Sequence, residues 1–247
     1  MSSLVSRALD LAFPARCAGC GRDGDPFCPA CLPALDARLD RPAGTPIGLP
    51  GDLPADLLQL EWCAPFVGAV RRALHDLKYG GEQRVARPLG EAVARRWARA
   101  GVGAWAPGGA GEARTGARAG AAAGPGPGGD ILVPVPVHAD RRRRRGYDQA
   151  ELIAIHAGRQ LGMPVAPILS RTRATAAQFD LDRPERAGNV AGAFALRPGG
   201  DPRLLRGRWI VLVDDVVTTG ATLTACARPL IDAGVLGVSA IAVARER

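Results

Sequence analysis

Lysine is almost absent from the chain of 247 residues: of 32 basic side chains, Lys78 is the single lysine and the others are arginines. A phosphate loop of the G-x-x-x-x-G-K-[ST] type is therefore excluded, because Lys78 lies in the sequence LKYG. A Schiff-base enzyme would depend on this one amine. Aromatic residues are also few, at 4%. An extended platform for stacking nucleic-acid bases is thus not expected.

Long apolar runs are missing too. No segment reaches the roughly 18 consecutive apolar residues of a transmembrane helix. The N-terminal stretch MSSLVSRALDLAFPARC carries Asp10 inside its apolar part, which does not fit a signal peptide. We therefore expect a cytoplasmic, reducing location and no membrane contact. The length predicts between one and two domains.

The positive charge is unevenly distributed. The net charge is +8, and residues 131–247 hold 17 basic against 11 acidic side chains, whereas residues 1–130 hold 15 against 13. An excess of +6 in the second part suggests an anionic partner there, either nucleic acid or a phosphorylated small molecule.

Four of the six cysteines form two C-x-x-C pairs, Cys17 with Cys20 and Cys28 with Cys31. This spacing predicts one tetrahedral Zn²⁺ site made of four thiolates, which leaves no open position and is therefore structural. Two disulfides or free thiols are the alternatives. Cys63 lies outside this spacing, as does Cys226, and we interpret both as core residues.

The remaining pattern alternates apolar strands with helices, which indicates a parallel sheet covered on both faces. Helices are predicted over 66–79, from about 82 or 84 to 100, over 147–161 and over 221–233. Strands are predicted over 131–137, 165–169, 209–213 and 238–243. We predict a zinc-binding module over 1–39, a linker or irregular arm over 40–65 and an α/β domain over 66–247. Within that domain, the Gly/Ala-rich segment 101–129 is predicted to be a disordered insert.

The sharpest motif is IVLVDDVVTTGATL, residues 210–223. It puts Asp214 and Asp215 at the carboxyl end of a buried strand, where α/β sheets bind ligands. The threonine-rich loop that follows can present backbone N–H groups at a helix N-terminus, which suits a phosphate. The two acids can accept hydrogen bonds from a ribose diol. A ribose 5-phosphate would satisfy both; the alternative is an acidic strand end with threonines that only cap the next helix.

This segment resembles the motif with which type I phosphoribosyltransferases bind 5-phosphoribosyl-1-pyrophosphate (PRPP). The motifs LHDLKYGGE, PVPVHADRRRRRGYDQAELIA and RTRATAAQFDLDRPERAGNVAGAF are similar to those of the ComF family. That family joins a phosphoribosyltransferase-like domain to an N-terminal zinc module and is associated with DNA uptake in natural competence. The resemblance implies a type I phosphoribosyltransferase-like fold, with a mostly parallel sheet flanked by helices. Asp214 and Asp215 would hold the ribose hydroxyls, and the loop would hold the 5′-phosphate through Thr218, Thr219, Gly220, Ala221 and Thr222.

By the same resemblance, the loop over 138–145 would contact pyrophosphate, because guanidinium groups pair well with phosphate oxygens. Its candidates are His138, Arg141, Arg144 and Arg145. A solvated basic run or a nucleic-acid patch is the alternative. Asp148 departs from the asparagine that the family often shows in this position, which puts any amide-specific contact there in doubt.

A mobile loop over 171–194 would close over the reacting centre. Arg173 is its candidate catalytic residue, together with Asp214 and Asp215, and the further polar candidates are Arg171, Gln178, Arg186 and Asn189. Alternatively, the loop arginines pair with nearby acids on the surface. Lys78 and Tyr79 fall at a helix end, where they either contact a base pocket or only pack.

Three functions remain open at this point. The first is an enzyme that transfers the phosphoribosyl group of Mg²⁺-bound PRPP to an unknown acceptor and releases pyrophosphate. The second is a non-catalytic protein of the DNA-uptake machinery that senses PRPP or binds single-stranded DNA or a competence helicase. The third is a zinc-stabilised α/β protein with a vestigial motif.

Overall fold

The computed structural model of the chain describes residues 14–43, 53–100, 129–172, 192–198 and 202–246. The strands in these ranges are β1 (Ala15–Arg16), β2 (Asp23–Gly24), β3 (Leu60–Pro65), β4 (Ile131–Pro134), β5 (Leu169–Arg171), β6 (Phe194–Leu196), β7 (Trp209–Val217) and β8 (Gly237–Arg245). The α-helices are α1 (Gly68–His75), α2 (Ala86–Ala100), α3 (Ala139–Arg145), α4 (Gln149–Leu161) and α5 (Ala221–Asp232). Shorter 3-10 helices span Leu32–Asp36, Gln83–Val85 and Pro202–Leu204, and a π-helical turn spans Asp76–Gly80.

Four strands form the central sheet in the order β3-β8-β7-β4, and each neighbouring pair is parallel. Strand β7 lies inside the sheet, between β8 and β4. Both of its faces are covered, as expected for the apolar sequence WIVLV. Val211 and Val213 pack with helices α2 and α4 on one face, whereas Ile210 and Leu212 pack with α5 on the other. The predicted fold class, a parallel sheet flanked by helices, is confirmed.

Strand β3 was missed by the sequence analysis, which placed it in the arm over 40–65. Residues Leu60–Pro65 pair in parallel with β8 and form one edge of the sheet. Glu61 interrupts the apolar pattern of this strand, yet it is fully buried. Its carboxylate is accommodated because Arg96 of α2 lies beside it, with Nη2 at 2.5 Å and Nε at 3.1 Å from Oε2.

Three local predictions differ from the structure. The segment over 138–145 is a helix, α3, and not a loop: His138 caps its start through Nδ1, which accepts from the Asp140 N–H, and Gly146 ends it with a φ of 79°. Strand β7 does not stop at the acidic pair but continues to Val217. The strand predicted over 165–169 is reduced to one bridge between Leu132 and Val165, and β5 begins only at Leu169.

The N-terminal part packs directly on the core. Ala18, Phe27 and Leu35 belong to the same apolar cluster as helices α1 and α2. Arg72 of α1 donates to the carbonyl oxygens of Ala18 and Gly19 at 2.6 and 2.7 Å. These contacts join the cysteine-bearing turn to α1.

Some predictions fall on residues whose structure is not described. They include nearly all of the Gly/Ala-rich insert, residues 101–128, and most of the proposed closing loop, residues 173–191. The division into domains also stays a prediction. Within the described ranges, no helix combines the length and the apolar character that crossing a membrane would need.

Candidate functional site

The acidic pair lies on the last part of β7, where the strand has a partner on one side only. Strand β4 pairs with β7 as far as Val213, whereas β8 continues to pair through Asp214 and on to Val217. On that side, no strand in the described ranges pairs with β7 at the level of the two acids. The carboxyl ends of parallel strands are where ligands of open α/β sheets bind.

The two carboxylates differ in their surroundings. Asp215 is buried at 5% relative exposure. Burial raises the pKa of Asp214 to about 8, and the neighbouring Asp215 carboxylate adds to the effect. Oδ1 of Asp214 also accepts a hydrogen bond from the Asp215 N–H at 2.8 Å, which fixes its orientation. The pair therefore offers acceptor oxygens in fixed positions.

The threonine loop links this strand to α5. Gly220 takes a left-handed conformation, with a φ of 81°, and immediately precedes the first helical residue, Ala221. Oγ1 of Thr219 accepts from the Ala221 N–H at 3.4 Å. The loop residues 218–222 thus surround the N-terminus of a helix of 12 residues, next to the acidic pair. Such a helix end favours an anion, because its first N–H groups lack intrahelical partners.

Lys78 reaches the same place from the π-helical turn Asp76–Gly80. Its Nζ lies 2.9 Å from Oδ2 of Asp215, and only 21% of its side chain is exposed. Burial alone would lower the pKa of Lys78, but the charge and hydrogen bond of Asp215, together with the charge of Asp214, outweigh burial and raise it. The sequence left open whether Lys78 reaches a pocket. No local signal could have decided this, because Asp215 is far away in the chain.

The arginines of α3 divide into two groups. Arg142 pairs with Glu151 at 3.1 Å, and Arg143 pairs with Asp140. Arg141 and Arg144 are exposed, and no acidic residue in the described ranges lies within ion-pair distance of either. These last two are therefore the members of the run that remain available to an anion.

Arg145, the last residue of α3, is held in a different way. Its Nη1 donates to Oε1 of Gln149 at 2.8 Å, and its guanidinium lies 5.1 Å from the ring centre of Tyr79. The Tyr79 side chain is well exposed, at 68%, with the His75 ring 5.0 Å away on centre-to-centre distance. The exposed ring thus lies beside both a cation and a second aromatic ring.

Asp148 and Tyr147 stabilise the start of α4 through hydrogen bonds to neighbouring backbone groups. Oδ1 of Asp148 accepts from the Ala150 N–H at 3.0 Å and caps the helix, whereas Oδ2 accepts from the Val137 N–H at 2.9 Å. The Tyr147 hydroxyl donates to the carbonyl of Leu77, next to Lys78. The carboxylate of Asp148 therefore has a structural role that an asparagine, with a single acceptor oxygen, would fill only in part.

The start of the predicted closing loop approaches the site. Burial lowers the pKa of Arg171, and the nearby Arg141 lowers it further, while the Asp214 carboxylate opposes both. Arg171 is thus close enough to Asp214 and Arg141 to interact electrostatically with them. Arg173, predicted to be catalytic, lies outside the described residues, as do Gln178, Arg186 and Asn189.

Cys17, Cys20, Cys28 and Cys31 form a second cluster, away from the acidic pair. Their sulfur atoms all lie within 4.8 Å of one another, so they could hold a metal ion such as zinc. The 3.7 Å between the sulfurs of Cys20 and Cys28 agrees with the roughly 3.8 Å edge of a tetrahedral site with Zn–S bonds of about 2.3 Å.

Backbone N–H groups around Cys17 favour its thiolate form. Burial alone would raise the pKa of Cys17, but N–H donors from Cys28 and Gly19, both 3.4 Å from the sulfur, contribute to lowering it to about 6. Gly19 is required here because a Cβ at this position would lie 2.4 Å from the sulfur of Cys31. Cys63 and Cys226 are buried in the core, as predicted.

Known proteins with similar sequences match about half of the chain. Competence protein F of Haemophilus influenzae is 34% identical over 117 residues, which cover 47% of this chain and 50% of that protein. DNA utilization protein YhgH of Escherichia coli K12 is 37% identical over 110 residues, covering 44% and 46%. The chain thus spans about half the length of these curated relatives. No family model matches it.

Solved structures overlap only in part. Glutamine PRPP amidotransferase from B. subtilis, in complex with ADP and GMP, covers 46% of this chain and 22% of its own, with 22% identity and a TM-score of 0.31. A structure described as the allosteric regulatory enzyme of purine biosynthesis gives the same values. The likeness in sequence to the competence and DNA-utilization proteins agrees with the resemblance of the motifs to the ComF family.

Proposed function

We propose that the carboxyl end of β7 binds PRPP. The observation that carries this proposal is the succession of the acidic pair and the threonine loop, which follow each other along the chain from the last part of β7 to the start of α5. A ligand with a vicinal diol at one end and a phosphate a few ångströms away would satisfy both. The notable similarity of this segment to the PRPP motif supports the same ligand.

Each part of PRPP has a candidate partner. Asp214 and Asp215 would accept hydrogen bonds from the ribose hydroxyls. The 5′-phosphate would lie at the start of α5 and take N–H and hydroxyl donors from Thr218, Thr219, Gly220, Ala221 and Thr222. The dipole of α5 would stabilise the negative charge of a phosphate bound there.

The pyrophosphate would lie towards α3. Arg141 and Arg144 are the candidates with free guanidinium groups among the described residues, and Arg171 would add a third cation. His138 already accepts a hydrogen bond at its helix-capping Nδ1, so it would contact the ligand through Nε2 alone. Arg145 would have to leave Gln149 in order to contribute.

The chemistry would be transfer of the phosphoribosyl group to an acceptor, with pyrophosphate as the leaving group. Cations around the pyrophosphate would stabilise the charge that develops as the anomeric bond breaks. Mg²⁺ would supply further charge neutralisation and would be held by ribose hydroxyls and pyrophosphate oxygens. Arg173, on the predicted closing loop, would help to neutralise the charge of the leaving pyrophosphate.

A second candidate function follows from the names of the relatives and from the surface of α3. A protein of DNA uptake could use the same ligand as a signal and bind single-stranded DNA or a helicase. Arg141, Arg142, Arg143 and Arg144 are all exposed on a helix of seven residues, a density of charge that suits phosphate backbones. Either function is compatible with a cytoplasmic location.

Calorimetric titration with PRPP and Mg²⁺ tests the proposal. We expect binding by the wild-type chain and its loss in the Asp214→Asn, Asp215→Asn double variant. Asp56→Asn, which removes a carboxylate paired with Arg228 at 3.0 Å, is the matched control and should bind normally. A folded wild-type chain that does not bind PRPP would contradict the proposal.

Two further measurements separate the functions. Release of pyrophosphate over a panel of bases and amines identifies an enzyme. If DNA binds to α3, the Arg141→Ser, Arg144→Ser double variant weakens it and reduces its salt dependence. DNA affinity that does not change between low and moderate salt would rule out the arginine surface.

A further inference from the structure

Arg72 of α1 is bound to the backbone of the cysteine cluster. Its Nε donates to the carbonyl of Ala18 at 2.6 Å, and its Nη2 donates to the carbonyl of Gly19 at 2.7 Å. Both carbonyls belong to the turn between Cys17 and Cys20, the first C-x-x-C pair. The guanidinium is therefore attached to this turn at two neighbouring points.

A single peptide group lies between Arg72 and a cysteine sulfur. The carbonyl of Ala18 and the N–H of Gly19 belong to the same peptide bond. The carbonyl accepts from Arg72, and the N–H donates to Sγ of Cys17 at 3.4 Å. Linked hydrogen bonds polarise one another, so a thiolate at Cys17 strengthens the bond to the guanidinium. Four thiolates also carry more negative charge than one divalent ion neutralises, which favours a cation nearby. A filled cluster therefore holds Arg72 more tightly than an empty one.

The same helical segment reaches the proposed PRPP site further along. Helix α1 continues without a break into the π-helical turn, and the segment ends only at Gly81, which has a φ of 70°. Lys78 follows Arg72 by six residues, which is about 9 Å along a helix. Its Nζ lies 2.9 Å from Oδ2 of Asp215. One segment thus contacts both the cysteine turn and the acidic pair.

Packing makes the segment and the cysteine turn one unit. Val70, Leu74 and Leu77 are buried, and they belong to the same apolar cluster as Ala18 and Phe27 of the cysteine-bearing part. Because protein interiors are close-packed, a shift of the turn is passed on to the helix rather than absorbed locally. A change at the cysteine cluster therefore reaches the π-helical turn.

We propose that Arg72 couples the cysteine cluster to the proposed PRPP site, so that zinc in the cluster and PRPP at the end of β7 each raise the affinity of the chain for the other. This inference rests on the proposed function, because it presumes that PRPP is the ligand. Arg72 acts through Lys78 and is therefore a positioning residue. Thermodynamic linkage requires the two effects to be equal in size.

Two titrations of the wild-type chain measure the coupling. Calorimetry with PRPP and Mg²⁺ compares the zinc-loaded chain with a chain whose zinc has been removed by a chelator that binds Mg²⁺ only weakly. Circular dichroism checks that the zinc-free chain is folded. Competition with a chromophoric zinc chelator gives the zinc affinity with and without PRPP. We expect each ligand to tighten the binding of the other by at least about fivefold, and by the same factor.

A variant of Arg72 tests the route. Arg72→Met removes both hydrogen bonds to the cysteine turn. Arg71→Met is the matched control, because Arg71 is the neighbouring exposed arginine on the same helix. With both chains loaded with zinc and folded, Arg72→Met should bind PRPP at least about fivefold more weakly than the control. A loss of stability alone would not move this Kd, because it is measured on the folded chain.

Lys78→Met is the second variant, and it changes the other end of the route. It leaves the cysteine turn and the hydrogen bonds of Arg72 in place. PRPP should then no longer change the zinc affinity, even at concentrations that saturate the variant. If Arg72→Met does not fold, this variant and the wild-type titrations still decide the question.

Equal PRPP affinities of zinc-loaded Arg72→Met and Arg71→Met would overturn the inference, and this comparison needs no zinc-free chain. A wild-type zinc affinity that PRPP leaves unchanged would overturn it too, as would a coupling that persists in Lys78→Met. In each of these cases the wild type still binds PRPP, and the proposed function stands. If the zinc-loaded wild type does not bind PRPP, the proposed function fails and the inference falls with it.

Discussion

Replacing Arg96 by methionine removes the guanidinium on which the buried edge strand β3 depends. Both Arg96 and its partner Glu61 are essentially inaccessible to solvent, at 1% and 0% of the side chain. Methionine fills a similar volume, but it leaves the carboxylate buried without its guanidinium. It also removes the donor to the carbonyls of Leu39 and Arg41, at 3.2 and 2.6 Å.

The expected loss follows from this burial. Breaking a buried ion pair from one side costs about 3–5 kcal/mol, because the remaining charge is not hydrated. A domain is commonly stable by only about 5–15 kcal/mol, so the variant should lose a large part of its free energy of unfolding. The exposed pair of Arg87 with Glu91 should contribute only about 0.3–0.5 kcal/mol.

Urea unfolding at a fixed zinc concentration, followed by circular dichroism, measures both losses. Arg87→Met is the matched control, with the same substitution on the same helix. The double variant Arg96→Met, Glu61→Leu should recover about 2 kcal/mol relative to Arg96→Met alone, because it no longer buries a carboxylate that has lost the Arg96 guanidinium. If Arg96→Met lowers the free energy of unfolding by no more than Arg87→Met does, the buried ion pair does not stabilise the fold as expected.

Three further predictions concern single groups. Gly19→Ala should lower the zinc content of the purified chain, measured by atomic absorption, because the added Cβ would clash with the sulfur of Cys31; full zinc content would contradict the described cluster. Since the folded pKa of Asp214 is about 8 and its ordinary value is 3.8, the native state keeps a proton that the unfolded chain releases, and stability falls as pH rises from 4 to 8. Asp214→Asn should flatten that fall in thermal unfolding scans, and an unchanged pH profile would refute the shift. Cys63 and Cys226, at 1% and 0% exposure, should stay unreactive towards a thiol reagent after zinc is removed, and rapid labelling of either in the folded chain would show that the core is misplaced.

Local pattern was enough to predict the central strands and their helices. Strand β7 and helix α5 follow from an apolar run and from a threonine-rich loop with Gly220, and both begin where they were predicted, although β7 continues to Val217. Strand β3 could not be predicted in the same way, because Glu61 is compatible with a buried strand only through Arg96, a partner that is distant in the chain. Helix α3 has no apolar face to reveal it, although its cap His138 and its C-terminal Gly146 were detectable signals.

The candidate site shows the same contrast between residues that a local motif predicts and contacts that depend on distant parts of the chain. Asp214, Asp215 and the loop after them lie within one short segment, so a sequence motif was sufficient to single them out. The contact between Lys78 and Asp215 depends on how a π-helical turn is placed against the end of a strand. Packing of this kind has no periodic signal in the sequence.

The one-sided pairing of β7 has a consequence for the entropy of binding. Because Asp214 pairs with Ala242, and Val217 with Arg245, the backbone that carries the two carboxylates is ordered by the sheet itself. The conformational freedom of this segment is lost when the chain folds, and not when a ligand arrives. Contacts made to the acids can therefore contribute to affinity with little further entropic cost of ordering the backbone.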